Sequence, residues 1–155
     1  MAGEVDARLA KLGIDVPVAA APVANYVGYV QTGSLVFVSG QVPIKDGKFQ
    51  YQGKLGDGMS LEDAQAAARL CAINVVAQVK AACGGDLDRV KRVVKLTGFV
   101  NSTGDFTDQP KVVNGASDLM VEVFGDKGKH SRAAVSAASL PAGVAVEVEA
   151  VVEIS

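Results

Sequence analysis

The stretch Val144-Ala-Val-Glu-Val-Glu-Ala-Val-Val-Glu-Ile154 decides the fold. Val144, Val146, Val148, Ala150, Val152 and Ile154 alternate with Ala145, Glu147, Glu149, Val151 and Glu153. Side chains of a strand point to opposite faces with period two, so one face is apolar and the other mainly acidic. That pattern predicts a long strand with a core on one side only. Just upstream, Arg132 to Leu140 is also β-rich, and Pro141-Ala142-Gly143 reads as a turn. The two segments are therefore expected to pair antiparallel.

Two helical patterns precede this pair. Ser60 is a good N-cap for the first, and Asp63 stands where a capping box places its acid. Leu61, Ala64, Ala68, Cys71, Val75, Val79 and Ala82 recur at spacings of three and four, and Gly84-Gly85 supplies a stop. Leu70, Ile73 and Val76 widen the apolar surface, so this helix is expected to be covered on more than one side. The second pattern starts at Asp108-Gln-Pro110, buries Val112, Val113, Ala116, Leu119, Met120 and Val123, and ends at Gly125. Val90 to Val100 alternates between the helices as a strand. Before them, Tyr26–Val30 and Leu35–Val38 flank Gln31-Thr-Gly-Ser34, and Gln41–Ile44 and Lys48–Tyr51 flank Asp46-Gly47, two hairpin signals. Val5 to Leu12 reads as a short amphipathic helix stopped by Gly13. The order predicts an α+β domain, a mixed β-sheet with two long helices packed on one face plus a short N-terminal helix.

Composition narrows the function classes. The chain has 155 residues, enough for one domain to bury a full core without a metal or disulfide. Fifteen basic and 17 acidic residues leave a net charge of -2, with no basic stripe for nucleic acid or an anionic membrane. No apolar run approaches the roughly 18 residues of a membrane span, and the first 12 residues lack a signal-peptide core. Two cysteines and one histidine form no cluster with metal-ligand spacing. Cys71 and Cys83 lie about 18 Å apart along one helix and read as small core residues. Free thiols suit a reducing compartment, which predicts a cytoplasmic protein.

Candidate chemistry is sparse. His130 sits in the polar loop Gly128-Lys-His-Ser131 and reads as a solvated loop histidine. Arg132 opens an apolar strand, where a guanidinium needs an anionic partner. Its fork could hold a ligand carboxylate, or it could pair internally with Glu147 or Glu149. Glu147 could orient a water for attack, or could belong to a solvated strand face.

A resemblance adds what spacing does not. Tyr26-Val27, Val36-Phe-Val-Ser-Gly-Gln-Val-Pro43, Val93-Val-Lys-Leu-Thr-Gly-Phe-Val100 and Ser131-Arg-Ala-Ala-Val135 through Leu140-Pro-Ala-Gly-Val-Ala-Val-Glu-Val-Glu-Ala150 occur in order. Together they resemble the Rid family, also called YjgF-like and, in older usage, endoribonuclease L-PSP or translation inhibitor. The likeness runs from about residue 25 to the end. Residues 1–24 then form an N-terminal extension, associated with a longer subgroup, and residues 25–155 the Rid-like domain.

The resemblance implies a chorismate-mutase-like fold and a homotrimer with sites in the clefts between subunits. It implies hydrolysis of 2-imino or 2-enamino acids, such as 2-aminoacrylate, to 2-keto acids and ammonia, with no cofactor and no metal. By position, Arg132 matches the family arginine that holds the substrate carboxylate, and Glu147 the acid of the catalytic water. Tyr26 matches a tyrosine lining the cleft, Ser39 and Gly40 a ligand-facing Ser-Gly, and Asn114 an asparagine of the second helix. In two places the chain departs from the family pattern: Ala134 replaces a common cysteine, and Val23-Ala-Asn-Tyr26 replaces a Gly-Pro-Tyr lead-in. A non-catalytic 2-keto acid binding protein is the alternative, and the ribonuclease role of the older names lacks a basic, aromatic surface here.

Overall fold

A computed structural model describes residues 3–155. Helix α1 (Glu4–Leu12) is followed by strands β1 (Tyr29–Thr32) and β2 (Leu35–Gln41), joined through Gly33-Ser34. Two short pairs come next: β3 (Ile44–Lys45) with β4 (Lys48–Phe49), and β5 (Lys54–Leu55) with β6 (Gly58–Met59). The long helix α2 (Leu61–Ala82) leads to strand β7 (Val90–Asn101), helix α3 (Gln109–Phe124), strand β8 (Ser131–Ala137) and strand β9 (Val146–Ile154).

Local chemistry explains the element ends. The Ser60 hydroxyl accepts the Asp63 backbone N–H at 3.1 Å and caps α2. Past its end, Gly84 and Gly85 adopt left-handed backbone and return N–H groups to the Ala81 and Lys80 carbonyls. Pro110 occupies the first turn of α3, where a missing N–H costs nothing. Strand β1 starts at Tyr29 rather than Tyr26, whereas β2 runs on to Gln41, past the expected end at Val38.

The five-stranded sheet has the order β1-β2-β9-β7-β8. All neighbours are antiparallel except β7 and β8, which are parallel. This corrects the expectation that residues 132–140 pair with the last strand. Strand β7 lies between them, so β8 and β9 are not neighbours. The reason is the helix before β8: two strands joined through a helix run the same way, and β7-α3-β8 is such a crossover. Pro141–Gly143 is a short 3-10 turn carrying the chain past β7 rather than a hairpin turn.

Helices α2 and α3 cover one face of this sheet. Leu96, Val100, Val148, Ala150 and Val152 from the strands meet Ala68, Cys71, Val75, Val113, Ala116 and Met120 from the helices, all buried. A fully buried leucine such as Leu96 or Leu119 contributes about 1.5–3 kcal/mol relative to exposure. Gly115 permits the helices' closest approach, since a Cβ there would lie 2.1 Å from the Gln65 carbonyl oxygen. Helix α1 docks through Val5 and Leu9, and the Asp88 carboxylate accepts the Glu4 and Val5 N–H groups. Those two bonds hold the Asp88 carboxyl below its ordinary range. Among the described residues, no helix lies on the other sheet face, and Val30, Phe37 and Val135 are exposed there. Among the described residues, no helix is long and apolar enough to cross a membrane.

Candidate functional site

The six candidate residues gather in two groups. Arg132, on β8, stands opposite Leu96 on β7, which stands opposite Ala150 on β9. All three point toward the helices. Asn114 and Ser117 lie three apart on α3 and so share a helix face. Arg132 Nη1 donates to Asn114 Oδ1 at 2.8 Å and to Ser117 Oγ at 3.2 Å. Among the described residues, no carboxylate lies within ion-pair distance of this guanidinium. The internal salt bridge to Glu147 or Glu149 is therefore absent, because β7 separates the two strands. Asn114 is exposed and Arg132 only partly buried, so the group opens to solvent.

Glu147 heads the second group. It lies opposite Phe99 on β7, three residues from Ala150, and an odd step along a strand changes face. Arg132 and Glu147 thus project from opposite faces of one sheet, roughly 14 Å apart at Cα by strand spacing and rise. The β2–β9 register shifts between Val38 and Gln41, which places Ser39-Gly40 in an irregularity beside Glu147. Gly40 is required there: a Cβ would stand 2.6 Å from Glu147 Oε2. The Ser39 hydroxyl donates to the Val27 carbonyl at 2.7 Å, and the Ser39 N–H to the Gly28 carbonyl at 2.9 Å. These bonds tie the segment carrying Tyr26, itself exposed, to the Glu147 corner.

The electrostatics of the two groups differ. Burial, and secondarily the Glu149 charge, push the Glu147 carboxyl above its ordinary value. A carboxylate so raised is a stronger base than one free in water. Cys71 is completely buried, its thiol donating to the Val146 carbonyl at 3.4 Å. Burial, then the nearby Glu147, hold it well above the usual thiol range, so it is no nucleophile near neutral pH.

His130 differs from its sequence reading. It is half-buried, with Nε2 2.8 Å from Ser117 Oγ and Nδ1 2.6 Å from the Gly128 carbonyl. Ser117 and His130 therefore join the Arg132 group. Nothing in the sequence pattern singles out Ser117, although its position three residues after Asn114 places both on one face. A larger cavity of about 650 Å³, lined by Ile14, Val16, Lys45, Leu70 and Asn74, includes none of the six candidates.

A family model described as "YjgF/chorismate_mutase-like, putative endoribonuclease" matches residues 6–153. The chain belongs to this family. Protein TCP17 of Trypanosoma cruzi is 54% identical over 99% of this chain and 96% of its own length. The crystal structure of Atu1372, a protein of unknown function from Agrobacterium tumefaciens, superimposes with a TM-score of 0.92. It is 48% identical, and the match covers 97% of this chain and 92% of Atu1372. A more distant structure, TdcF of E. coli with bound serine, has a TM-score of 0.62 and 27% identity over 88% of this chain and 94% of TdcF. These superpositions and the family match agree with the chorismate-mutase-like fold that the resemblance implies.

Proposed function

We propose that this chain is a cofactor-free hydrolase of 2-imino and 2-enamino acids, assembled as a cytoplasmic homotrimer with its sites between subunits. One observation supports the reading most. A cation prepared for a carboxylate and a base raised by burial sit on opposite faces of the same sheet. A small substrate cannot touch both within one subunit. Three copies packed so that the β8 edge of one meets the helix-free face of the next would bring Arg132 of the first toward Glu147 of the second, with Tyr26, Ser39 and Gly40 lining the cleft. The exposed Val30, Phe37 and Val135 would be covered in the same step. The serine held by TdcF is a small amino acid with a carboxylate, which suits the clamp assigned to Arg132. The free thiols Cys71 and Cys83 suit a reducing compartment.

The chemistry follows from these groups. Arg132 grips the substrate carboxylate and fixes the adjacent C=N. An enamine first takes a proton at C3 from solvent to become the iminium, the protonated form of the imine. Glu147 then accepts a proton from water as the water oxygen bonds to C2, and the C=N electron pair moves onto nitrogen. Glu147 returns its proton to the carbinolamine nitrogen, and ammonia leaves as the hydroxyl proton passes to solvent and the C=O forms. Water is the only co-reactant, and nothing is oxidised or reduced.

The alternative is a protein that holds a 2-keto acid without turning over its imine. Generating 2-aminoacrylate in situ with a separate amino-acid enzyme distinguishes the two. Faster pyruvate release with this protein present supports hydrolysis. Pyruvate binding with no acceleration supports the binding role and overturns the hydrolase reading.

A further inference from the structure

We propose that Ser117 and His130 are positioning residues that aim Arg132 by holding its Nη1 corner, so that its Nε/Nη2 edge meets the ligand carboxylate. The proposal deepens the reading of Arg132 as the carboxylate clamp and rests on it.

With His130 as the neutral imidazole, counting donors sets the direction of every bond in the chain. The Gly128 carbonyl can only accept, so His130 Nδ1, 2.6 Å away, carries the proton. In the neutral ring Nε2 is then an acceptor, and the Ser117 hydroxyl 2.8 Å away gives it its one proton. That leaves the Ser117 lone pairs to receive Arg132 Nη1, at 3.2 Å. The polarity runs from Arg132 to Ser117 to His130 to the backbone. Without His130 the hydroxyl could turn its proton toward the guanidinium and repel it.

The same count selects an edge of Arg132. Nη1 has two N–H bonds, and Asn114 Oδ1 and Ser117 Oγ take both. Nε–H and the two Nη2 donors make no hydrogen bond among the described residues. Nε and Nη2 present two parallel N–H bonds, the fork that matches a carboxylate. Asn114 and Ser117 are neutral acceptors, so they orient the guanidinium without neutralising it. An aspartate in either place would hold it as firmly and cancel the charge the ligand needs. The anchor is rigid: Ser117 sits on α3, flanked by the buried Ala116 and near the buried Leu119 and Met120.

The test uses the full-length chain and pyruvate as probe. Titration calorimetry gives Kd for Ser117→Ala, Ser117→Thr, His130→Phe and His130→Gln. Nitrogen-15 NMR follows rotation of the Arg132 guanidinium and the protonation site of His130. Ser117→Ala should weaken pyruvate binding about five- to twentyfold and free guanidinium rotation. Ser117→Thr, which keeps the oxygen, should restore both. His130→Phe should weaken binding about two- to fivefold, with recovery in His130→Gln, whose amide oxygen can replace Nε2 as acceptor. The wild-type His130 proton should reside on Nδ1. Unchanged affinity and unchanged rotation in Ser117→Ala and His130→Phe would overturn the proposal, and so would a proton on Nε2 alone. If wild-type protein fails to bind pyruvate, the clamp reading fails, and guanidinium rotation still decides whether Ser117 and His130 aim the side chain. Should Ser117→Ala not fold, His130→Phe decides by the same two measurements.

Discussion

Arg132 and Glu147 occupy one sheet, yet their surroundings differ as much as their charges. Arg132 faces the helix layer and is tethered at one corner by Asn114 and Ser117, with His130 behind them. Glu147 faces the side without helices, beside the bare backbone of Gly40, its carboxyl raised by burial. The first arrangement keeps a charge fixed, and the second keeps a base reactive. In a single subunit the sheet insulates one from the other, so the proposed chemistry requires a second copy of the chain.

The widest separation of the two roles should come from Glu147→Gln. If the carboxylate accepts the water proton, turnover falls about 10²–10⁴-fold while pyruvate affinity stays within a fewfold. Equal losses of binding and rate in steady-state and calorimetric measurements would assign Glu147 a structural role. Arg132→Ala should act on the other axis, weakening pyruvate binding by about 30-fold to several thousandfold with the fold retained in circular dichroism. Arg132→Lys should recover little, because an ammonium lacks the fork. Gly40→Ala pushes a methyl group against Glu147 Oε2. It should lower kcat about tenfold and leave pyruvate binding nearly intact, measured in the same two assays.

The smallest effect is on stability. The folded protein raises the Glu147 pKa above its unfolded value, so its ionisation opposes folding. That cost is absent below the unfolded carboxylate range, about pH 4, and complete above the raised folded value. Glu147→Gln should therefore melt above wild type at pH 7.5, with the difference shrinking toward pH 4. Thermal denaturation at several pH values would reveal a constant or inverted difference if Glu147 were instead stabilised by a hidden cation.

Much of this comparison was legible in the residues. The alternation from Val144 to Ile154 puts Glu147 on the face away from the core, and the stripe from Leu61 to Ala82 marks the covering helix. The partner of β8 was not legible from local pattern. An apolar segment before a Pro-Ala-Gly turn reads as half a hairpin, and only the intervening α3 hints at a parallel crossover to β7. With that partner misread, an internal ion pair for Arg132 looked open, when a whole strand stands in the way. His130 looked solvated because its partner, Ser117, lies 13 residues upstream on another element. Arg132 and Glu147 stand out as charges in apolar strands, Tyr26, Ser39, Gly40 and Asn114 come only with the family resemblance, and nothing in the spacing of the six divides them into two groups.

Subunit mixing tests the central claim most directly. Arg132→Ala and Glu147→Gln chains, each inactive alone, are unfolded together in equal amounts and refolded. If each site takes its arginine from one subunit and its glutamate from the next, random assembly makes about one site in four wild type. Imine hydrolysis should recover to about a quarter of the wild-type rate. No recovery, in mixed oligomers verified by two different tags, would place both groups in the same subunit's site and contradict the account.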